Sequence, residues 1–153
     1  MSKERFSRSV NIRNRQAVFD FEILERFTAG MVLQGTEIKS IREGKASLSE
    51  GYCFIDRGEA FIKGMTINPY AEGTIYNHEP ARQRKLLLQK TEIRKLEKSS
   101  QVRGLTIVPL RIFISERGQA KLEIALARGR KTHDKREHIK EREVRREMSN
   151  MKK

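Results

Sequence analysis

The sequence lacks the features of secreted and membrane-spanning proteins. It has one cysteine among 153 residues, so it cannot form an internal disulfide, which fits a reducing compartment. No apolar run approaches the ~18 residues that a transmembrane helix needs. Residues 1–10 (MSKERFSRSV) contain no apolar stretch of the kind found in a secretory signal. We therefore expect a cytoplasmic protein without a membrane segment.

Sequence motifs of the common nucleotide-binding, hydrolytic and metal-dependent enzymes are also missing. The chain contains no G-x-x-x-x-G-K-S/T, G-x-G-x-x-G, G-x-S-x-G, C-x-x-C or H-E-x-x-H. His133 and His138 are five positions apart and do not share a helix face, which disfavours a metal pair. Cys53 falls in a predicted strand, where a lone cysteine is usually a small buried apolar residue. We expect no enzyme activity, no cofactor and no metal.

Positive charge is abundant and lies at the two ends of the chain. The net charge is +13. Residues 1–15 contribute +4 and residues 128–153 contribute +6, which leaves +3 for the 112 residues between them. A domain of ordinary charge balance with basic arms is typical of proteins that bind nucleic acid or an anionic membrane surface.

Residues 128–153 are rich in charge and poor in apolar side chains. They contain eleven Lys or Arg, five Asp or Glu, and four clearly apolar residues, which are Ile139, Val144, Met148 and Met151. Such a segment cannot bury enough apolar surface to offset its own conformational entropy. We therefore expect a basic tail over residues 131–153 that is disordered in the free protein and becomes ordered on an anionic partner. Residues 1–10 are expected to be flexible, which leaves residues 11–130 for the folded domain.

The middle of the chain alternates between apolar and polar residues, which indicates β-strands. Residues 16–27 follow this pattern from Ala17 to Ile23. Gly35 suggests a bulge within the second strand, and Pro109 suggests a bulge or an edge position within the fifth. The predicted strands cover residues 16–27, 31–42, 52–55, 60–63, 104–114 and 120–126, with turns at residues 28–30, 56–59 and 115–118.

One segment, residues 80–99, has the apolar spacing of an amphipathic helix, which a break near Thr91 would divide in two. Arg82, Arg84 and Lys85 would lie near the start of that helix, where the macrodipole disfavours positive charge. The three cations indicate either a phosphate-binding site or a solvent-exposed face, and both interpretations stay open.

The order of these elements bounds the fold. About six short antiparallel strands occur without any alternation of strand and helix, so a doubly wound sheet is disfavoured. We expect a mainly β fold, a small antiparallel OB-type barrel with one to three inserted helices. Barrels of this type commonly bind oligonucleotides.

Six segments, taken in order, resemble the small protein B family, the SsrA-binding proteins of bacterial trans-translation. They are residues 27–42 (FTAGMVLQGTEIKSIR), 44–49 (GKASLS), 77–88 (NHEPARQRKLLL), 104–110 (GLTIVPL), 125–136 (ALARGRKTHDKR) and 139–143 (IKERE). Any one of these motifs is weakly specific, whereas the ordered set is highly specific. Two positions depart from the family pattern. Thr28 replaces a usual acidic residue implicated in RNA binding, and Glu79 replaces a usual Asp cap.

The resemblance implies an OB-type barrel that holds the tRNA-like part of transfer-messenger RNA and enters stalled ribosomes. It also implies that the tail takes the place of mRNA, folding as a helix in the vacant channel. The family's RNA contacts map to Asn14, Arg42, Lys45, Leu87 and Lys121. To these the basic pattern adds Arg15, Arg82, Arg84, Lys85 and Arg128, although Arg15 could equally belong to a frayed terminus. The predicted ribosomal contacts in the decoding site and mRNA channel are Gly129, Arg130, Lys131, His133, Asp134, Lys135, Arg136, Ile139, Lys140 and Arg142.

A second function class stays open on the sequence alone. A general RNA-binding or ribosomal protein could carry the same basic arms and thread them through ribosomal RNA. In either case we expect a monomer that acts by binding.

Overall fold

The structure of the chain, a computed structural model, describes residues 10–73 and 77–130. The predictions of a flexible segment over residues 1–10 and of a disordered tail over residues 131–153 lie outside the described residues, except at Val10, which is partly buried against the core. Of the predicted ribosomal contacts, Gly129 and Arg130 are described. The positions outside the described residues are Lys131, His133, Asp134, Lys135, Arg136, Ile139, Lys140 and Arg142.

Within the described ranges the chain forms nine strands and three helices. In chain order they are β1 (Asn11–Arg13), α1 (Arg15–Asp20), β2 (Phe21–Met31), α2 (Gly35–Arg42), β3 (Ala46–Ser47), β4 (Tyr52–Asp56), β5 (Glu59–Lys63), β6 (Thr66–Ile67), β7 (Arg84–Leu87), α3 (Lys90–Ser100), β8 (Leu105–Ile114) and β9 (Ala120–Gly129). The hairpin predicted over residues 52–63 is confirmed as β4 and β5.

Six of the strands pair antiparallel in a closed order, β8, β4, β5, β7, β2 and β9, and β9 returns to β8. The seams of β9 with β2 and β8 are long, whereas β4 and β8 share the single register pair Cys53–Ile107. β1 extends the sheet at β8, and β3 pairs with β6 in a separate two-stranded sheet. The prediction of a mainly β, OB-type barrel with one to three inserted helices is confirmed.

Inward-facing side chains of these strands fill the barrel. Ile62, Leu86 and Leu122 are at most 1% exposed, and Leu96 anchors α3 to the same core. Burial of each such side chain is worth ~1.5–3 kcal/mol relative to an exposed position. Cys53 is buried in this core as predicted, and burial raises the pKa of its thiol above the ordinary value. A neutral, buried thiol is not a nucleophile.

A bulge in β8 creates a second apolar surface outside the barrel. The register with β9 shifts between Pro109 and Arg111, which confirms the bulge predicted at Pro109. Val108 and Leu110 therefore pack outside the main core, in a cluster with Ala17 of α1. This packing holds α1 against the outer surface of β8.

The prediction of a strand over residues 16–27 followed by a turn is wrong at both ends. Helix α1 occupies the first part, because Ala17 packs on the outer cluster, and a helix this short does not reveal its period. β2 continues through the predicted turn, with Phe27 and Ala29 buried and Thr28 exposed. The strand persists because β9 pairs along its length, a distant interaction that local pattern does not encode.

The predicted strand over residues 31–42 is also wrong, because Gly35 begins helix α2 rather than marking a bulge. A capping box fixes this start. Glu37 Oε1 accepts a hydrogen bond from Gln34 N at 2.8 Å, and the backbone N–H of Glu37 donates to the carbonyl oxygen of Gln34 at 3.1 Å. The β-branched residues Thr36 and Ile38 favour a strand on propensity alone, and the capping interaction overrides that preference.

The helix predicted over residues 80–99 is wrong in its first half. β7 occupies that half and pairs with both β2 and β5. Its side chains alternate, so Arg84 is buried and Leu87 is exposed. Helix α3 begins only at Lys90, next to the break predicted near Thr91.

Candidate nucleic-acid interface

Three adjoining clefts lie on the outer surface of the barrel. The Leu87 cleft, of about 550 Å³, is lined by Arg26, Phe27, Thr28, Gly30, Leu87, Leu88, Gln89, Glu92 and Lys121. The Arg42 cleft, of about 400 Å³, is lined by Gly30, Met31, Leu33, Ile38, Arg42, Leu87, Arg117, Gly118, Gln119, Ala120 and Lys121. The arginine cleft, of about 650 Å³, is lined by Arg13, Asn14, Arg15, Val18, Phe19, Arg26, Leu110, Arg111 and Glu123. Shared lining residues make the three clefts one continuous surface.

In the Leu87 cleft, Gly30 of β2 lies in register between Leu87 of β7 and Lys121 of β9. Leu87 is 52% exposed. A Cβ added to Gly30 would lie 3.3 Å from the Cβ of Leu87, so glycine keeps this strip open. The strip presents an apolar side chain, a stretch of backbone and a cation on three neighbouring strands. Such a combination suits a base or ribose together with its phosphate.

The Arg42 cleft is built by the end of α2. Arg42 Nη2 donates a hydrogen bond to the carbonyl oxygen of Gly118 at 3.0 Å, which ties α2 to the turn between β8 and β9. Lys45 follows α2, with its Nζ 3.2 Å from Glu43 Oε2 and its side chain 49% exposed. Exposed ion pairs are weak, so Lys45 is able to exchange Glu43 for a phosphate.

Asn14 and Arg15 both line the arginine cleft, as two adjacent residues at the start of α1. Asn14 is 8% exposed, and its Nδ2 donates to the carbonyl oxygen of Pro109 at 2.9 Å. The asparagine therefore fixes the chain against the β8 bulge, whereas Arg15 is exposed. Of the two predicted contacts, Arg15 is the one available to reach an RNA phosphate by moving its side chain alone.

Glu123 on β9 binds two arginines of the arginine cleft. Its Oε1 lies 2.6 Å from Arg26 Nη1, and its Oε2 lies 3.1 Å from Arg111 Nε. Burial of the carboxyl acts to raise its pKa, but the hydrogen bonds from the two arginines outweigh this effect and lower the pKa of Glu123. The group is therefore held as a carboxylate between two guanidinium groups.

The phosphate-site interpretation of Arg84 is wrong, because its side chain is 0% exposed. All five N–H donors of this guanidinium are satisfied within the protein. Nε binds Glu37 Oε2 at 2.5 Å, Nη1 binds the carbonyl oxygens of Met65 and Arg82, and Nη2 binds those of Glu79 and Pro80. Arg84 is a structural residue.

Arg82 and Lys85, the other two cations of that cluster, have different surroundings. Arg82 makes a two-point contact with the Glu37 carboxylate and is 27% exposed. Lys85 is 43% exposed and lies 3.3 Å from Glu59 in a surface ion pair. Since β7 alternates, Lys85 faces outward on the same side of the strand as Leu87. An RNA contact therefore stays a prediction for Lys85 and is disfavoured for Arg82.

The end of β9 carries the remaining described positions. Arg128 is exposed and lies in register with Glu22 of β2, and Gly129 lies opposite Phe21. The backbone N–H of Arg130 donates to the carbonyl oxygen of Asp20 at 2.9 Å. The chain therefore leaves the barrel beside α1, at the opposite end of β9 from Lys121.

The sequence prediction misses Arg13, Arg26, Arg111 and Glu123 as site residues. Their signal is their outward position in strands that alternate, but this position is informative only once the pairing partners are known. In the described parts of the chain, no cluster of three or more His, Cys, Asp or Glu could hold a metal ion. No helix among the described residues is long and apolar enough to cross a membrane.

Comparison with known proteins gives a consistent result. The family model described as SmpB protein matches residues 11–153. An SsrA-binding protein of Cytophaga hutchinsonii is 53% identical over 148 residues, which is 97% of each chain. An SsrA-binding protein of Parabacteroides distasonis is 53% identical over 146 residues, which is 95% of each chain.

A solved structure is similar in fold as well as in sequence. It is described as "tmRNA-SmpB: a journey to the center of the bacterial ribosome". The TM-score is 0.69 and the identity is 44%, with 81% of this chain and 87% of that chain covered.

Proposed function

We propose, because this chain belongs to the SmpB protein family, that it is an adaptor that binds transfer-messenger RNA and delivers it to stalled ribosomes. The observation that carries the proposal is the strip in which Leu87, Gly30 and Lys121 lie side by side on three strands. The similarity to a structure described as tmRNA-SmpB supports the choice of RNA. We further propose that the protein acts in the cytoplasm, as a monomer, without a catalytic step.

The shape of the surface favours a folded RNA over a duplex read by base sequence. Most of the cations that line the clefts lie on strands or in a turn, namely Arg13, Arg26, Arg111, Arg117 and Lys121. This placement differs from that of a recognition helix, which carries its contacts along one helix face. Exposed cations along the three clefts attract phosphates, and Leu87 offers an apolar contact to an unpaired base. Recognition of the tRNA-like part by its shape follows from this arrangement.

The position at which the tail leaves the barrel allows the barrel to bind RNA while the tail contacts the ribosome. Lys121 and Gly129 lie at opposite ends of β9, about 26 Å apart for eight residues at ~3.3 Å each. The barrel, residues 11–130, can therefore hold RNA near Lys121, at the end of β9 opposite to the one that residues 131–153 follow in the chain. We propose that these residues fold as a helix in the vacant mRNA channel, with His133, Asp134, Lys135 and Arg136 near the decoding site.

Sequencing the RNA that copurifies with the intact chain tests this function. The tagged protein would be expressed in Cytophaga hutchinsonii, whose SsrA-binding protein is 53% identical. We expect one dominant RNA, the transfer-messenger RNA, and its loss in the double variant Leu87→Ala, Lys121→Ala. Recovery of bulk ribosomal RNA instead would favour a general ribosomal or RNA-binding protein.

A further inference from the structure

Four outward-facing residues form a row across neighbouring strands of the barrel. Thr28 of β2 lies in register with Glu123 of β9, Glu123 with Arg111 of β8, and Arg111 with Arg13 of β1. At ~4.8 Å between strands, this row spans about 14 Å. Arg26 approaches the row from β2 through its ion pair with Glu123. Strands β1, β2, β8 and β9 therefore form most of the floor of the arginine cleft.

The charges in this cleft are unbalanced. Arg13, Arg15, Arg26 and Arg111 line it together with the single carboxylate of Glu123. Arg13 lies directly opposite Arg111, and like charges in such cross-strand positions are unfavourable. Among the described residues, Arg13 and Arg15 form no ion pair. Binding of an anion between these arginines would relieve the repulsion.

The shape of the cleft indicates which anion fits. Its volume of about 650 Å³ falls in the range of small-molecule sites. One wall is apolar, formed by Val18 and Phe19 of α1 and by Leu110, and Val18 is 48% exposed. A cationic side and an apolar side in one cleft match the two parts of a nucleotide, its phosphate and its base.

We propose that the arginine cleft is a second RNA subsite, which binds one unpaired nucleotide with its phosphate on the arginines and its base against α1. This inference rests on the proposed function and adds a contact apart from the strip of Leu87 and Lys121. Glu123 is a positioning residue in this subsite, because it orients Arg26 and Arg111. Each oxygen of Glu123 binds one N–H group, that of Arg26 Nη1 or of Arg111 Nε. A guanidinium has five N–H donors, so both arginines keep other donors for the phosphate.

Titration of the intact chain with the transfer-messenger RNA of Cytophaga hutchinsonii, at several salt concentrations, tests the subsite. Arg13→Ala should weaken binding about tenfold and make the slope of log K against log salt shallower by ~0.7–0.9, the value for one phosphate contact. Arg13→Lys should keep most of the slope. Lys63→Ala on β5 is the matched control, since it removes one exposed charge outside the three clefts.

The effect of Glu123→Gln on RNA affinity distinguishes two roles of the carboxylate, repulsion of phosphate and orientation of the two arginines. If Glu123 only repels phosphate, its neutralisation tightens binding. If it orients Arg26 and Arg111, the same change weakens binding severalfold, while circular dichroism shows an intact fold. Tighter binding would overturn the positioning role.

Equal slopes for Arg13→Ala and Lys63→Ala would overturn the subsite while leaving the proposed function in place. If the unaltered chain fails to bind this RNA, the proposed function fails first and the subsite fails with it.

Discussion

The Glu37 carboxylate and the Arg84 guanidinium form an ion pair at 2.5 Å in which neither side chain is exposed to solvent. Arg82 completes a cluster around the same carboxylate from the partly exposed side. The cluster joins the first turn of α2 to β7 and, through the carbonyl oxygen of Met65, to the segment before β6. It therefore fixes two elements, α2 and β7, that carry Arg42 and Leu87.

Loss of this ion pair should destabilise the barrel strongly. Arg84→Ala removes the fully buried partner of the Glu37 carboxylate and leaves only the partly exposed Arg82 on it. Breaking a buried pair in this way costs ~3–5 kcal/mol. The sequence alone places Arg84 on an exposed helix, where substitution would cost little, and its burial reverses that expectation. Denaturant unfolding measures the change, with Lys85→Ala on the same strand as the exposed control, expected within ~0.5 kcal/mol of the unaltered protein. Equal stability of the two variants would contradict the structural role of Arg84.

The pH dependence of stability should also reflect Glu37. Burial alone would raise its pKa, but hydrogen bonds from Arg82, the Gln34 N–H and Arg84 outweigh burial and hold the pKa of Glu37 below its ordinary value of 4.5. A carboxyl whose pKa is lower in the folded state contributes stability that is present above its unfolded-state pKa and is lost as the pH falls through its folded-state pKa. The free energy of unfolding should therefore decrease below about pH 4.5, and less steeply in Glu37→Gln. An identical slope in the two proteins would show that Glu37 is not responsible.

Leu87 and Lys121 should contribute to RNA binding in distinguishable ways. If about five phosphates are contacted, log K for the unaltered chain falls with log salt at a slope of about −3.5 to −4.5. Lys121→Ala should weaken binding and make that slope shallower by ~0.7–0.9. Leu87→Ala should weaken binding at every salt concentration with no change of slope, because no charge is lost.

A matched substitution outside the strip, Val102→Ala, controls for the loss of exposed apolar surface in Leu87→Ala. Val102, after α3, is 55% exposed, so Val102→Ala removes exposed apolar surface without touching the clefts. Its affinity should equal that of the unaltered chain. A change of slope in Leu87→Ala, or a loss of affinity in Val102→Ala, would count against the strip as the contact site.

How far the sequence predicts this fold differs from element to element. The hairpin of β4 and β5 follows from local alternation and a tight turn, and β8 and β9 from long alternating runs. Helix α2 is missed because its start depends on Gln34 and Glu37, whereas the usual cap is Ser, Thr, Asp or Asn. β7 is missed because three consecutive leucines fit a helical stripe, and only pairing with β2 and β5 decides for a strand.

The residues of the candidate site also differ in how well the sequence predicts them. The resemblance places Leu87, Lys121 and Arg42, and the structure brings all three to adjoining clefts. The charge cluster at Arg82 and Arg84 is misread, since a buried partner 45 or more positions away, Glu37, is invisible in a local pattern. Long-range pairing of side chains is what the sequence pattern does not encode.

Deletion of residues 131–153 should separate RNA binding from ribosome rescue. The described barrel is complete without them, and they contain few apolar groups that could anchor them to it. RNA affinity should fall only modestly, because nine Lys or Arg and five Asp or Glu are removed, a net loss of four positive charges. Peptide tagging on stalled ribosomes should be abolished, because the segment proposed to fill the mRNA channel is gone.

Residues 131–153 should become helical only when they are bound to the ribosome. In a helix, Glu141 and Arg145 would form a favourable i,i+4 pair, whereas Arg142 with Arg146 and Glu143 with Glu147 would be like-charge pairs at the same spacing. A short isolated helix is also marginal in water. NMR signals of residues 131–153 should therefore be sharp and poorly dispersed in the free chain, and should broaden or shift when ribosomes are added. Truncated and full-length chains would be assayed in parallel for RNA binding and tagging. Tagging at the full-length level would refute the tail's role, and complete loss of RNA binding would place the tail in the RNA site instead.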